Sequence, residues 1–137
     1  MGDAIIAIVM KAQPFHILLA DDDPVIRKLV ESILVHLGQT VEVATDGKEA
    51  IELFTRKPDA FDMLITDHSM PHVTGLELVR YLRADGFEGK IIVTSGSLTA
   101  ELEALYLAKQ VDKILQKPFT MERLKETLEG IFLKSKK

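Results

Sequence analysis

Five short β-rich runs alternate with amphipathic stretches along this chain, and that alternation limits its fold more than any other feature. The runs are Ile17 to Ala20, Val41 to Ala44, Met63 to Thr66, Ile91 to Thr94 and Lys113 to Gln116. Strands that alternate with helices predict a parallel sheet covered on both faces.

The stretches between the strands carry helix signals. Asp23 and Pro24 read as an N-cap and a first helical residue, and Ile26, Leu29, Val30, Ile33, Leu34 and Leu37 then share one face until Gly38 ends the helix. A second helix opens at Asp46, with Glu49 three residues on as in a capping box, and closes before Pro58; its core face is Ala50, Leu53 and Phe54. The third runs from Gly75 to Ala84 with Leu78, Val79 and Leu82 inward. The fifth runs from Thr120 to Phe132 with Met121, Leu124, Leu128, Ile131 and Phe132 inward. The fourth, Thr99 to Lys109, differs. Leu102, Ala104, Leu105, Tyr106, Leu107 and Ala108 leave little of it polar after the first turn, so it is expected to show apolar surface.

The 137 residues, 47% of them apolar, suit one compact core, and no repeat or Pro/Gly/Ser linker divides them. The division expected is an N-terminal extension over 1–14, a domain over 15–133 and a basic tail over 134–137. Met10 is a candidate second start. A net charge of −4 argues against nucleic acid as a partner, since such binders carry a basic face. The run from Ala4 to Met10 falls far short of the ~20 residues that span a bilayer, so no membrane association is expected. Cysteine is absent, which removes disulfides and thiolate metal sites and fits a cytoplasmic location.

In an open parallel sheet the reactive crevice lies at the carboxyl ends of the strands. Strand one ends in Asp21, Asp22 and Asp23, strand three in Asp67, strand four in Thr94 and Ser95, and strand five in Lys117. Alone, each of these reads more simply as a cap or a solvated charge. Together they make an oxygen-rich anionic pocket facing one lysine, the setting a hard cation such as Mg²⁺ (or Mn²⁺) requires. The cation and the ammonium would offset the repulsion among the crowded aspartates. A phosphoryl group could then be held by the metal, Lys117 and a hydroxyl while one carboxylate attacks phosphorus.

The segments "ILLADDDPVIRKLV", "MLITDHSMPHVTGLELV", "IIVTSG" and "KILQKPFT" together resemble the receiver domain of two-component response regulators, chemotaxis regulators among them, over residues 15 to 133. The resemblance implies an α/β fold, doubly wound and flavodoxin-like, with a five-stranded parallel sheet of order 2-1-3-4-5. It makes Asp67 the phosphoacceptor, Ser95 the switch hydroxyl and Lys117 the site lysine. Asp22 and Asp67 would ligate Mg²⁺ directly, Ser69 would add its backbone carbonyl, and Asp21 would act through a water. The acidic pair is Asp21 and Asp22, five residues ahead of the helix-one Arg27, which leaves Asp23 as a cap. Thr94 competes with Ser95, but its spacing from the lysine fits less well.

The implied function is a phosphorylation-driven switch in a two-component system or phosphorelay. A histidine kinase or phosphotransfer protein would be the donor. The chain would be a regulatory phosphoacceptor, not an enzyme beyond its own phosphotransfer and dephosphorylation. Output would pass through a partner protein, or a second copy of the chain, at the face of the fourth helix, fifth strand and fifth helix. No output domain fits after Lys117, unless the chain is a piece of a longer regulator.

Two departures from the family pattern stand out. Ile114 occupies the position of an aromatic residue that swings inward on activation in many members, so coupling falls to the Ser95 loop or to Tyr106. Ser69 and Ser97 occupy positions that tune dephosphorylation, and two small hydroxyls leave the lifetime open.

Three other readings carry less. His68 and His72 could form a zinc site with Asp67, but Pro71 between them disfavours the helix that would align them, so both are expected to be solvated or loop-packed. His16 and His36 are expected to be structural. Asp21-x-Asp23 resembles the haloacid-dehalogenase phosphatases, yet "PVIR" follows where a Thr is usual and no late acidic pair follows Lys117. A degenerate binding module would not need the full set of Asp21, Asp22, Asp67, Ser95 and Lys117.

Overall fold

A computed structural model describes residues 14–134. All but the last residue of the expected N-terminal extension, and 135–137 of the expected basic tail, lie outside the described residues. The strands are β1 (His16–Ala20), β2 (Thr40–Ala44), β3 (Met63–Asp67), β4 (Lys90–Ser95) and β5 (Lys113–Gln116). The helices are α1 (Pro24–His36), α2 (Gly47–Arg56), α3 (Gly75–Ala84), α4 (Ala100–Leu107) and α5 (Met121–Lys134). All strand pairs are parallel and the sheet order is β2-β1-β3-β4-β5, as expected.

Successive side chains of a strand point to opposite faces, and here they feed two separate cores. Leu18, Ala20, Leu64, Ile91 and Val93 pack with Ala50, Phe54, Leu78, Val79, Leu82 and Tyr106 beneath α2, α3 and α4. Ile17, Leu19, Met63, Ile65 and Ile92 pack with Val30, Leu34, Leu124, Leu128 and Phe132 beneath α1 and α5. Each Val, Leu, Ile, Phe or Met side chain among them, fully buried, contributes about 1.5–3 kcal/mol. β1, β3 and β4 are therefore buried almost throughout, whereas the edge strands β2 and β5 are partly open.

Local signals set the helix ends. Asp23 Oδ1 accepts from the backbone N–H of Val25 and Ile26 at 2.9 and 3.3 Å, with Pro24 opening α1. At its other end Gly38 takes φ +84°, and the N–H groups of Gly38 and Gln39 donate to the carbonyls of Val35 and Leu34. This is the reversal that glycine permits. Asp46 caps α2 through the Glu49 N–H, but the return arm differs from expectation. Glu49 Oε1 accepts from the Thr45 N–H at 2.7 Å, one residue before the cap.

Two inward assignments are corrected. Leu29 is exposed because it lies at the margin of the α1 stripe. Met121 is exposed because it sits in the first turn of α5, ahead of the buried row that begins at Leu124. The apolar surface expected of the fourth helix is present: Leu105 is 44% and Leu107 55% exposed, and Tyr106 alone among the residues of α4 is buried.

Candidate functional site

The strand ends place the acidic residues together. Asp67 is the last residue of β3, and Asp21 follows β1 directly, its N–H donating to the Ala44 carbonyl. Asp21 and Asp67 are 3% and 7% exposed, while Asp22 is open to solvent. One carboxylate oxygen from each of the three lies within 4.8 Å of the others. Lys117, just beyond β5, sends Nζ to 3.2 Å from Asp67 Oδ1 and 3.7 Å from Asp21 Oδ2. Its backbone N–H donates to the Ser95 carbonyl at 2.7 Å, which ties the lysine to the end of β4.

The electrostatics are unbalanced. Burial, first of all, pushes the Asp21 carboxyl above its usual value, and the neighbouring Asp67 and Asp22 charges add to this. A hydrogen bond from the Asp23 N–H at 2.9 Å and the Lys117 charge offset it only in part. Among the described residues a single ammonium, that of Lys117, faces three carboxylates. Arg27 Nη1 donates to the Asp21 carbonyl at 2.8 Å, fixing the loop from the α1 side; the sequence pointed to Arg27 only as a landmark. Asp23 is spent as the α1 cap.

The two hydroxyls are arranged differently. Thr94, paired with Asp67 in register, donates from Oγ1 to Asp67 Oδ1 at 3.5 Å, the outer limit for such a bond. Ser95 Oγ turns away, donating to the Ser97 carbonyl at 2.9 Å and accepting from the Ser97 N–H at 3.2 Å. Ser95 is thus next to the cluster but not bonded to it. Ser69 is exposed two residues after Asp67.

His68 and His72 do not join the acidic cluster. Among the described residues the one group able to gather three metal-binding side chains is Asp21, Asp22 and Asp67. His72 is exposed with φ +70°. His68 is half-buried, and its Nδ1 is hydrogen-bonded to Tyr106 Oη on α4. Burial chiefly, and the Asp67 charge secondarily, raise the Tyr106 phenol above its usual value, so it stays protonated. Gly75 makes this contact possible: a Cβ there would lie 2.4 Å from the Asp67 carbonyl oxygen and 2.9 Å from both His68 Cα and Tyr106 Oη. Composition and spacing hold no signal for a polar contact between the loop after β3 and α4.

Fold and site together define a doubly wound parallel sheet with an acidic, lysine-faced crevice at its carboxyl edge. The profile of the response regulator receiver domain matches residues 17–129, and the chain belongs to that family. It is 34% identical over 123 residues to the transcriptional regulatory protein TrcR of Mycobacterium tuberculosis, covering 89% of this chain and 47% of that protein. It is 35% identical over 121 residues to the response regulator MprA of Mycobacterium leprae, covering 88% and 52%. The chain thus spans about half the length of these curated relatives. Among solved structures, the chemotaxis protein CheY4 of Vibrio cholerae superposes with a TM-score of 0.79 at 30% identity, covering 87% of this chain and 99% of that one. Among the described residues no helix is long and apolar enough to cross a membrane.

Proposed function

We propose that Asp67 is the phosphoacceptor of a cytoplasmic signalling switch charged by a histidine kinase or phosphotransfer protein. The observation that carries this is the buried Asp67 carboxylate, with Lys117 Nζ at 3.2 Å and two further carboxylates in reach. An Asp67 oxygen attacks phosphorus of the donor phosphohistidine. The N–P bond breaks, and its electron pair returns to the imidazole, which takes a proton.

The donor set fits a hard dication, since the cluster offers carboxylate oxygens and neither thiolate nor imidazole. Asp22, Asp67 and the Ser69 carbonyl would hold Mg²⁺ (or Mn²⁺), with Asp21 acting through a water. Bound there, the ion supplies positive charge to the transferring oxygens. Lys117 neutralises one phosphoryl oxygen and keeps the charge of Asp67 tolerable before transfer.

After transfer the acceptor carries close to one additional negative charge. Ser95 is the hydroxyl that answers it, leaving Ser97 to donate to a phosphoryl oxygen and drawing the loop ahead of α4 with it. Exposed Leu105 and Leu107 support α4, β5 and α5 as the output face, for a partner protein or a second copy. The chain acts as a regulatory phosphoacceptor, and its chemistry is confined to its own acyl phosphate.

Intact-mass measurement after incubation with Mg²⁺ and acetyl phosphate tests this reading. One phosphoryl adduct is expected on the wild type and none on Asp67→Asn. An adduct that persists in Asp67→Asn overturns the assignment.

A further inference from the structure

α4 is held to the domain unlike any other helix. Tyr106 is its one buried residue, 0% exposed, and Leu102 only leans on the core. The Tyr106 hydroxyl meets His68, the residue next to Asp67. The His68 backbone cannot respond freely, since its N–H donates to the Thr94 carbonyl at 2.9 Å and its carbonyl accepts from Gly75 at 2.8 Å. Only its side chain is left to move, and the partner of that side chain is on α4. The rings of His68 and Tyr106 also meet edge to face, with centroids 5.6 Å apart.

The opposite end of α4 is tied to the site through a different route. Thr99 caps the helix, and Ser97, two residues before it, holds the Ser95 hydroxyl. The helix therefore has one end near a hydroxyl that can change partner and another pinned beside Asp67.

The geometry points to the His68–Tyr106 pair as the anchor on which α4 pivots and through which it senses the charge at Asp67. Tyr106 is thus a positioning residue, acting through His68, and it fills the coupling role left open by Ile114. Motion begins in the Ser95 loop and lifts the first turn of α4, while the Tyr106 end stays seated. The sensing of phosphorylation rests on Asp67 being the acceptor, but the anchor and its response to charge do not.

Hydrogen exchange over residues 100–107 of the full chain, read by mass spectrometry, tests the inference in a cycle of wild type, Tyr106→Phe, Asp67→Asn and the double variant. Tyr106→Phe is expected to speed exchange in α4 about fivefold, the size of one lost hydrogen bond, and to leave α1 unchanged. Asp67→Asn is expected to shift α4 exchange by at least about twofold in the wild-type background and not in Tyr106→Phe. A merely structural tyrosine would leave that second effect intact. His68→Ala removes the same bond from the half-exposed side and must reproduce the α4 result. Unchanged α4 exchange in Tyr106→Phe and His68→Ala, or an equal Asp67→Asn effect in both backgrounds, overturns the inference. Intact mass on the same samples reports the adduct separately, so a wild type that takes no phosphoryl group overturns the acceptor reading while the cycle still decides this one.

Discussion

Lys117 Nζ lies 3.2 Å from Asp67 Oδ1, and among the described residues it is the one ammonium set against three clustered carboxylates. It reaches the site from β5, at the edge of the sheet, whereas Asp67 ends the central strand β3. Replacing it with methionine keeps the stem and removes the charge. Lys117→Met is expected to slow phosphorylation by acetyl phosphate at least about tenfold, since a charge next to the transferring group is worth 1.4 kcal/mol or more. Time-resolved intact mass at fixed Mg²⁺ checks this; a rate equal to wild type would remove Lys117 from the site.

Asp21 gives a pH signature. Its carboxyl is raised by burial, so between the unfolded value of 3.8 and its higher folded value the native state holds more protons than the unfolded one. Stability from this group therefore falls as pH rises through that window, and the penalty is in place above it. In metal-free buffer, Asp21→Asn is expected to melt a few degrees above wild type at pH 7, a shift on the order of 1 kcal/mol. The gap should close as pH is lowered toward 4. Thermal melts followed by circular dichroism at several pH values measure it.

Metal addition should have the complementary effect. A dication that binds the folded state alone stabilises it by about 2.7 kcal/mol at one hundred times its dissociation constant. Mg²⁺ is expected to raise the melting temperature of the wild type and to lose most of that effect in Asp22→Asn. Equal Mg²⁺ shifts in the two proteins would exclude Asp22 as a ligand.

Gly75→Ala should be costly. The added methyl would sit 2.4 Å from a backbone oxygen of β3, where nothing flexible can give way. A loss of about 2–4 kcal/mol in urea denaturation is expected. Full stability in this variant would mean that α3 can shift away from β3 at little expense.

Arg83 makes a prediction away from the site. Its guanidinium donates to the carbonyls of Lys109, Phe87, Gly89 and Gln110 at 2.8–3.0 Å, joining the loops that flank β4 and β5. Lysine has no planar fork to reach four acceptors. Arg83→Lys is expected to lose about 2 kcal/mol of stability in urea titrations while still accepting a phosphoryl group.

Strand and helix positions are legible because their cause is local: short continuous apolar runs in β1 and β3, which are buried on both faces, and an Asp-Pro start and a glycine stop in α1. The gathering of Asp21, Asp67 and Lys117 was legible too, because a parallel sheet brings its strand ends to one edge. Exposure at Leu29 and Met121 was not, since both turn on how far a helix stripe extends over its neighbour. The hydrogen bond between His68 and Tyr106 was also out of reach. The sequence offers Tyr106 as a coupling candidate but gives it no partner, and only the packing of α4 over Gly75 brings its hydroxyl to His68.

The site also draws on four strands that lie far apart in sequence. Asp21 and Asp22 arrive with β1, Asp67 with β3, Ser95 with β4 and Lys117 with β5. No contiguous segment holds a working subset, so a chain that is nicked, truncated or half-folded has lost the chemistry along with the shape. Phosphoryl uptake by this domain would therefore report on the integrity of the whole sheet and not on any one segment of it.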